Sequence, residues 1–346
     1  MQLNTDQESR PTWSVVAPFF RGTSGDRWID DFIPNSPWEF RKVPLSAAGD
    51  DWHLRSKRAT SVSKWLRYWD QSRRAFPAWG LITNFPQAAL AMAVQKTLRR
   101  LDVPLLAWCF NLGQYPHGLK RLGARIALKS VDRFVVHSTG EIGRISEFLD
   151  VPPNRIEFVP LQRAPIAIEA SEETKCPFVA AMGSANRDYA TFFKAADITG
   201  LPCKVVASPR SLDGLRVPSN VAVEHGLSAA QCHRVVQQSR FSVVPLLDPN
   251  IASGQVTVIE SMRMNRPVIA TRSMGTTDYI RDSETGTLVP PREPEALAAA
   301  MLQLWDDASL RQRYARNAAE FAEESLSDPA AARALARIIL ELERER

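Results

Sequence analysis

The sequence is poor in several features, and each shortage removes a class of function. No uninterrupted apolar run in the 346 residues approaches the ~20 needed to cross a bilayer. The opening stretch, MQLNTDQESRPTW, is polar and lacks the basic-then-apolar order of a secretory leader. Only four cysteines occur, Cys109, Cys176, Cys203 and Cys232. They are widely spread with no close-spaced pair, so neither a disulfide framework nor a zinc site is expected. No segment repeats with a period of about 20–50 residues, which sets aside a solenoid. A cytoplasmic protein is the expectation.

The length exceeds the usual size of one domain, so two are expected, and 45% hydrophobic residues suffice for sizeable cores. The net charge of +5 leans basic. It suits phosphate-bearing ligands, an anionic membrane surface or nucleic acid without choosing among them. Short apolar runs alternate with helix-like segments. SVVAPFF (14–20), GLITNF (80–85), VPLLAWCF (103–110) and DRFVVHS (132–138) read as strands. After QRAPIAIEASEETKCP (162–177), broken by prolines and charges, the alternation restarts with FVAAMG (178–183), CKVVAS (203–208), NVAVEH (220–225), FSVVPLL (241–247), PVIAT (267–271) and GTLVP (286–290). Helical segments lie between them, and the tail from Leu310 reads as helical throughout. The fold class is α/β, two Rossmann-like domains facing across a cleft, with C-terminal helices. The boundaries expected are 1–165, 166–325 and a final helix at 326–346 packing back on the first domain.

The stretch ASGQVTVIESMRMNRPVIATRSMG (252–275) holds the most chemistry. Ser253, Gly254 and Gln255, followed by Val256 and Thr257, open a helix whose first turn has unpaired N–H groups and a positive dipole end. They carry little bulk to keep a diphosphate away. Ser253 as an ordinary helix N-cap is the plainer reading. Glu260 lies inside an apolar helix, where a carboxylate is costly without a partner. Two ribose hydroxyls would supply one, and a solvated helix position is the alternative.

The same stretch, continued through TTDYIRDSETGTLVPPREPEALAAAMLQLWDD, resembles the donor-binding domain of retaining glycosyltransferases of family 4, the group 1 enzymes with the GT-B fold. The family pattern runs E-G-F-G-x-x-x-x-E-A-M, G-x-P-V-I-A-T, G-G-x-x-E and G-x-L-V-P-P. Here ESM places the second family glutamate at Glu260, and RPVIAT and TGTLVPP follow. The match is specific over 252–305 and looser through AAMGSANRDYATFFKAA, while the N-terminal half is divergent. The resemblance implies a nucleotide sugar, UDP- or GDP-linked, with Glu260 on its ribose. Residues 253–257 and Arg187, with Gly183 and Ser184, would hold the diphosphate, and Gly226 and Leu227 would meet the base.

Two departures are visible. Ala252 stands where the family has its first glutamate, and GSANRDY replaces a basic pair, with Ser184 in the arginine's place and Arg187 the nearby cation. Arg187 as a solvated loop residue is the plainer reading. Asp278, in GTTDY, is expected to be structural or at a hinge. His117 in FNLGQYPHG, or Asn111 nearer the strand end, would take the role of a family histidine that contacts the donor sugar. His53 and His233 look like surface residues, His137 core-adjacent, and His225 ends a strand. No Asp-x-Asp pair exists, so neither a metal nor a cofactor is expected. The resemblance puts a helix dipole and basic side chains on the leaving diphosphate instead.

On the acceptor side, Gly22, Thr23, Ser24 and Asn84 fall in loops expected to face the cleft. The segment 56–76 places Val62, Trp65, Leu66 and Trp69 at helical spacing among Lys57, Arg58, Lys64, Arg67, Arg73 and Arg74. It reads as a basic helix on an anionic membrane or as a core helix with snorkelling charges. The function expected is sugar transfer from a nucleotide sugar to a glycan or lipid-linked glycan acceptor, retaining and metal-independent. The enzyme would be cytoplasmic, with peripheral membrane contact possible at the inner face and no nucleic acid partner. The sequence leaves open a sugar-nucleotide epimerase and a non-catalytic binding subunit of the same fold.

Overall fold

The computed structural model describes residues 10–46, 62–113, 115 and 117–346. In chain order the first half contains β1 (Thr12–Val16), β2 (Glu39–Val43), α1 (Val62–Arg74), β3 (Gly80–Asn84), α2 (Pro86–Leu98), β4 (Leu105–Trp108), α3 (Leu119–Leu128), β5 (Arg133–Val136), α4 (Gly140–Leu149) and β6 (Ile156–Phe158). The second half contains β7 (Val179–Met182), α5 (Tyr189–Thr199), β8 (Cys203–Val206), β9 (Val221–Glu224), α6 (Ala229–Gln238), β10 (Ser242–Val244), α7 (Gln255–Arg263), β11 (Val268–Thr271), β12 (Thr287–Val289), α8 (Pro294–Asp306), α9 (Ala308–Ser325) and α10 (Asp328–Arg344). The chain divides into two compact units. Unit 1 takes residues up to His137, Glu141–Val159 and Ala332–Arg346; unit 2 takes Ser138–Gly140 and Pro160–Ala331.

Unit 1 is built on a six-stranded sheet in the order β2-β1-β3-β4-β5-β6, every neighbour pair parallel. All five residues of β3 are buried, as expected for a central strand covered on both faces. α2 opens on Pro86, where a missing N–H costs nothing, and its alanines let it lie tight on the sheet. Trp13, Leu81, Leu105, Phe134 and Leu335 are among the fully buried side chains. The last helix is tied in by Trp38 Nε1, which donates to Glu343 Oε1 at 2.8 Å, and by Arg133, 2.7 Å from Glu345.

Unit 2 repeats the architecture in the order β12-β11-β10-β7-β8-β9, again all parallel. Phe192, Phe241, Val243, Ile269 and Met301 fill one core cluster, and Val258, Ile259 and Met262 of α7 fill another with Tyr279. α5 starts at Asp188, whose Oδ1 accepts from Thr191 N at 3.0 Å, and α6 starts in a Ser228/Gln231 capping box.

The structure departs from the sequence reading in two respects, the bounds of the first strand and two further strands. β1 is Thr12–Val16, because the chain turns at Ala17, whose carbonyl accepts from Phe20 N at 3.4 Å. Two edge strands, β2 and β6, were not expected. The tail is helical, in two segments that meet at Leu326, α9 and α10. α1 is described over Val62–Arg74, and the expectations for His53, Lys57 and Arg58 lie outside the described residues.

Candidate functional site

Strand order in unit 2 reverses between β7 and β10, and ligands of open parallel sheets bind at the carboxyl ends of the strands flanking such a reversal. The two loops leaving these strands carry Gly183–Asp188 and Pro245–Gly254. They are laced together by Asn186. Its Nδ2 donates to Ser253 Oγ at 2.8 Å and to the Asp248 carbonyl at 3.0 Å, and its Oδ1 accepts from Asp248 N at 3.0 Å.

α7 begins at Gln255 with Gly254 at the N-cap, and no side chain caps it. Ser253 is therefore not the cap; its hydroxyl is turned to Asn186 and the Ile251 carbonyl. Gly254 has φ +87°, a left-handed conformation that a side chain resists. The first-turn N–H groups of α7 are left for a ligand or solvent, at the positive end of the helix dipole.

Arg187 reaches this helix. Its Nη2 donates to Thr257 Oγ1, Nε to the Met182 carbonyl and Nη1 to the Ala185 carbonyl, each at 2.9 Å. Among the described residues no carboxylate lies within ion-pair distance of it. Removal from water pushes its pKa below the usual arginine value, Tyr189 acting weakly the other way. The plainer reading of Arg187 as a solvated loop residue is thus overturned: three protein acceptors fix the guanidinium and no anion balances it. Gly183 makes the fold-back possible, since a Cβ there would sit 2.6 Å from Arg187 Nη2.

Glu260 follows on the same helix, its side chain 14% exposed. It is not a solvated position. Arg163, near the start of the Pro160–Ala331 part of unit 2, donates to Glu260 Oε1, and His233 Nε2 of α6 stands 3.8 Å from Oε2. His233 therefore does not sit alone on the surface as expected. Neither it nor Arg163 nor Asn186 was given a site role by the sequence: Arg163 and His233 lie in polar, motif-free stretches, Asn186 stands in GSANRDY beside the residues that were named, and the partner of each is distant in the chain.

Farther along the sheet, Gly226 and Leu227 follow β9, two strands from β7. Ser184 Oγ accepts from Ser208 N at 2.9 Å, and His225 Nδ1 lies 2.6 Å from the Ala207 carbonyl oxygen. Asp278 accepts from Ser138 Oγ at 3.0 Å, Thr139 N at 2.9 Å and Thr139 Oγ1 at 2.7 Å, which makes it a structural carboxylate within unit 2.

In unit 1 the strand order reverses at β1, bringing the β1 and β3 loops to neighbouring positions. Gly22, Thr23 and Ser24 belong to a loop closed by Asp26, which accepts from Gly22 N at 2.8 Å. Asn84 ends β3 almost fully buried, and its amide nitrogen has no hydrogen-bond partner among the described residues. Such a group costs ~1–3 kcal/mol unless a ligand or water satisfies it. Asn111 and His117 lie in the loop between β4 and α3, Asn111 half-buried and His117 exposed.

Residues 208–307 match the family described as "Glycosyl transferases group 1". Among curated proteins, the chain is 38% identical over 87 residues to alpha-D-kanosaminyltransferase of Streptomyces kanamyceticus, covering 25% of this chain and 22% of that protein. It is 33% identical over 107 residues to O-antigen chain mannosyltransferase C of Escherichia coli, covering 31% and 29%. The matched stretch thus spans under a third of these relatives. Over the whole fold, sucrose-phosphate synthase of Thermosynechococcus elongatus superposes with a TM-score of 0.71 at 14% identity, covering 97% of this chain and 100% of that one. Anabaena HepE, solved with UDP-glucose, gives 0.69 at 12% identity over 96% and 100%. The two parallel sheets with flanking and C-terminal helices are those of GT-B glycosyltransferase structures.

Proposed function

We propose that this protein is a glycosyltransferase that moves a sugar from a nucleotide-sugar donor to a glycan or lipid-linked glycan acceptor at the inner face of a membrane. The observation that carries this reading is Arg187, a guanidinium fixed by neutral acceptors, without a carboxylate among the described residues, beside the uncapped start of α7. A cation so placed calls for an anion, and a diphosphate matches both the guanidinium and the helix end. Glu260, five residues after Gln255 on α7, accepts the two ribose hydroxyls. Gly226 and Leu227 take the base, and Gly183 and Ser184 flank the phosphates. During transfer, negative charge builds on the leaving diphosphate, and Arg187 and the α7 dipole are in place before it appears.

Retention at the anomeric carbon and independence of metal belong to the same reading, as do contacts of Asn111 or His117 with the donor sugar. Gly22, Thr23, Ser24 and Asn84 form its acceptor side, the unsatisfied amide of Asn84 being ready for an acceptor hydroxyl. A thermal-shift screen of UDP- and GDP-sugars tests the donor half. One nucleotide sugar should raise Tm, and Glu260→Ala should abolish that rise while leaving the unliganded Tm within a few degrees. No stabilisation by any nucleotide sugar would favour a second reading, a non-catalytic binding subunit, to which Ala252 in place of a family carboxylate also points.

A further inference from the structure

Four helices of unit 1 form one layer. The crossovers from β2 to β3, β3 to β4, β4 to β5 and β5 to β6 all step the same way along the sheet, so right-handed connections put α1, α2, α3 and α4 on one face. α2 packs against both α1 and α3. Its Ala88, Ala89, Ala91, Met92 and Ala93 are fully buried, which leaves the outer surface chiefly to its two neighbours.

That surface is apolar where water should favour polar groups. On α1, Val62 and Leu66 are one turn apart and 75% and 60% exposed; on α3, Leu122 and Ile126 are one turn apart and 53% and 67% exposed. Isolated exposed aliphatics are ordinary, but two i,i+4 pairs on the two helices that flank α2 are not. The pair on α1 falls toward its amino-terminal end, hence toward the strand carboxyl ends where the 21–26 loop and Asn84 lie, while the pair on α3 runs from the middle into the carboxyl-terminal half of that helix.

The layer is also basic. α1 and α3 carry seven lysines and arginines against the single carboxylate of Asp70, while Lys96 of α2 is buried and paired with Asp132 at 2.7 Å and α4 carries Arg144 against Glu141 and Glu147. The excess on α1 and α3 is larger than the net +5 of the entire chain, so the remainder is slightly acidic. Local pairing accounts for part of the geometry: Asp70 pairs with Arg73 at 3.1 Å and Arg74 at 3.0 Å, and Arg125 donates to the Phe148 carbonyl at 2.9 Å. Carbonyl partners hold an arginine in place without cancelling its charge.

We propose that the outer face of α1 and α3 docks on an anionic lipid bilayer, with Leu66, Leu122 and Ile126 entering the headgroup region while the surrounding cations meet lipid phosphates. The combination of exposed aliphatics with a one-signed field selects this partner. A nucleic acid would use the charge but finds, among the described residues of α1 and α3, no exposed aromatic ring to stack on, since Trp65 and Trp69 are half-buried. A second copy of the chain would bring like charge against like charge. The proposal extends the functional reading above by naming the surface that carries the enzyme to a lipid-linked acceptor.

Flotation of the full chain with phosphatidylcholine vesicles, with and without phosphatidylglycerol, tests it. The wild type should bind vesicles containing phosphatidylglycerol roughly tenfold or more tightly than phosphatidylcholine alone, with affinity falling as salt rises. Leu66→Ser with Ile126→Ser should reduce that binding roughly tenfold at unchanged thermal stability, because both side chains are mostly exposed. Equal binding to the two vesicle types, or unchanged binding by the double variant, would overturn the proposal. So would absence of vesicle binding together with tight RNA binding or with self-association that the double variant removes. No nucleotide sugar is present in this assay, so its outcome is separate from that of the donor screen.

Discussion

Arg163 and Glu260 are 97 positions apart in the chain and form an ion pair in unit 2, the guanidinium donating to Oε1 while Oε2 faces His233 at 3.8 Å. The arrangement fixes the carboxylate and leaves lone pairs on both oxygens for ribose hydroxyls. Arg163 is thus a positioning residue for the proposed donor site. Arg163→Ala should raise the dissociation constant for the stabilising nucleotide sugar roughly 3–10-fold, the loss of about one positioned hydrogen bond. Calorimetry at constant salt measures it. Tighter binding by the variant would mean that Arg163 competes with the ribose instead of preparing its seat.

Arg187 permits a sharper separation of ligand parts. Its role is with the diphosphate, so Arg187→Ala should weaken binding of a nucleoside diphosphate roughly 10–100-fold, the worth of a charge-assisted hydrogen bond or two. Binding of the bare nucleoside should change little. Arg187→Lys should recover only part of the loss, because an ammonium cannot keep the bonds to Met182, Ala185 and Thr257 and also face the phosphate. A comparable loss for nucleoside and nucleoside diphosphate would show that the residue only holds the loop together.

Gly254 is where backbone shape and ligand access meet. At φ +87° an alanine is strained by ~1–2 kcal/mol, and its Cβ would stand 3.2 Å from both Leu246 Cδ1 and Val244 Cγ1. Gly254→Ala should therefore lower Tm by roughly 2–8 °C, at about 2–4 °C per kcal/mol for a unit of this size. It should also weaken nucleoside diphosphate binding by tilting the first turn of α7. Differential scanning calorimetry with and without ligand separates the two effects; an unchanged Tm would show that the loop relaxes around the new methyl group.

Most of this architecture was readable because it rests on local pattern. Strands such as GLITN and VIAT are short, apolar and bounded by turn residues, and their alternation with helices dictates a parallel sheet. β2 escaped notice because Glu39, Arg41 and Lys42 make an edge strand look like a loop, and β6 is only three residues long. At the site, Glu260 stood out as a charge inside an apolar helix and Gly254 as a helix start. Arg163 and His233 did not stand out, since a polar residue in a polar stretch acquires meaning only from a partner tens of residues away. Ser253 shows the opposite case: the local signal for a cap was present, and the long-range bond to Asn186 took the hydroxyl instead.

Asp30, at the start of unit 1, gives the protein a pH-dependent stability. Burial pushes its carboxyl from the usual range up to about 6; Lys42, 3.4 Å away, opposes the shift and Asp31 adds to it. A carboxyl that holds its proton more tightly in the folded chain binds more protons folded than unfolded between pH ~4 and ~6. Stability contributed at this residue is therefore greatest at the acid end of that window, falls as pH rises through it, and is level above it. Asp30→Asn removes the cost of ionising a buried group, and Lys42 keeps Asp31 at 2.7 Å. The variant should be more stable than wild type by roughly 1–3 kcal/mol at pH 7, with the difference vanishing near pH 4. Urea unfolding at several pH values checks it. A variant less stable at pH 7 would show that the Lys42 pair outweighs the burial of Asp30.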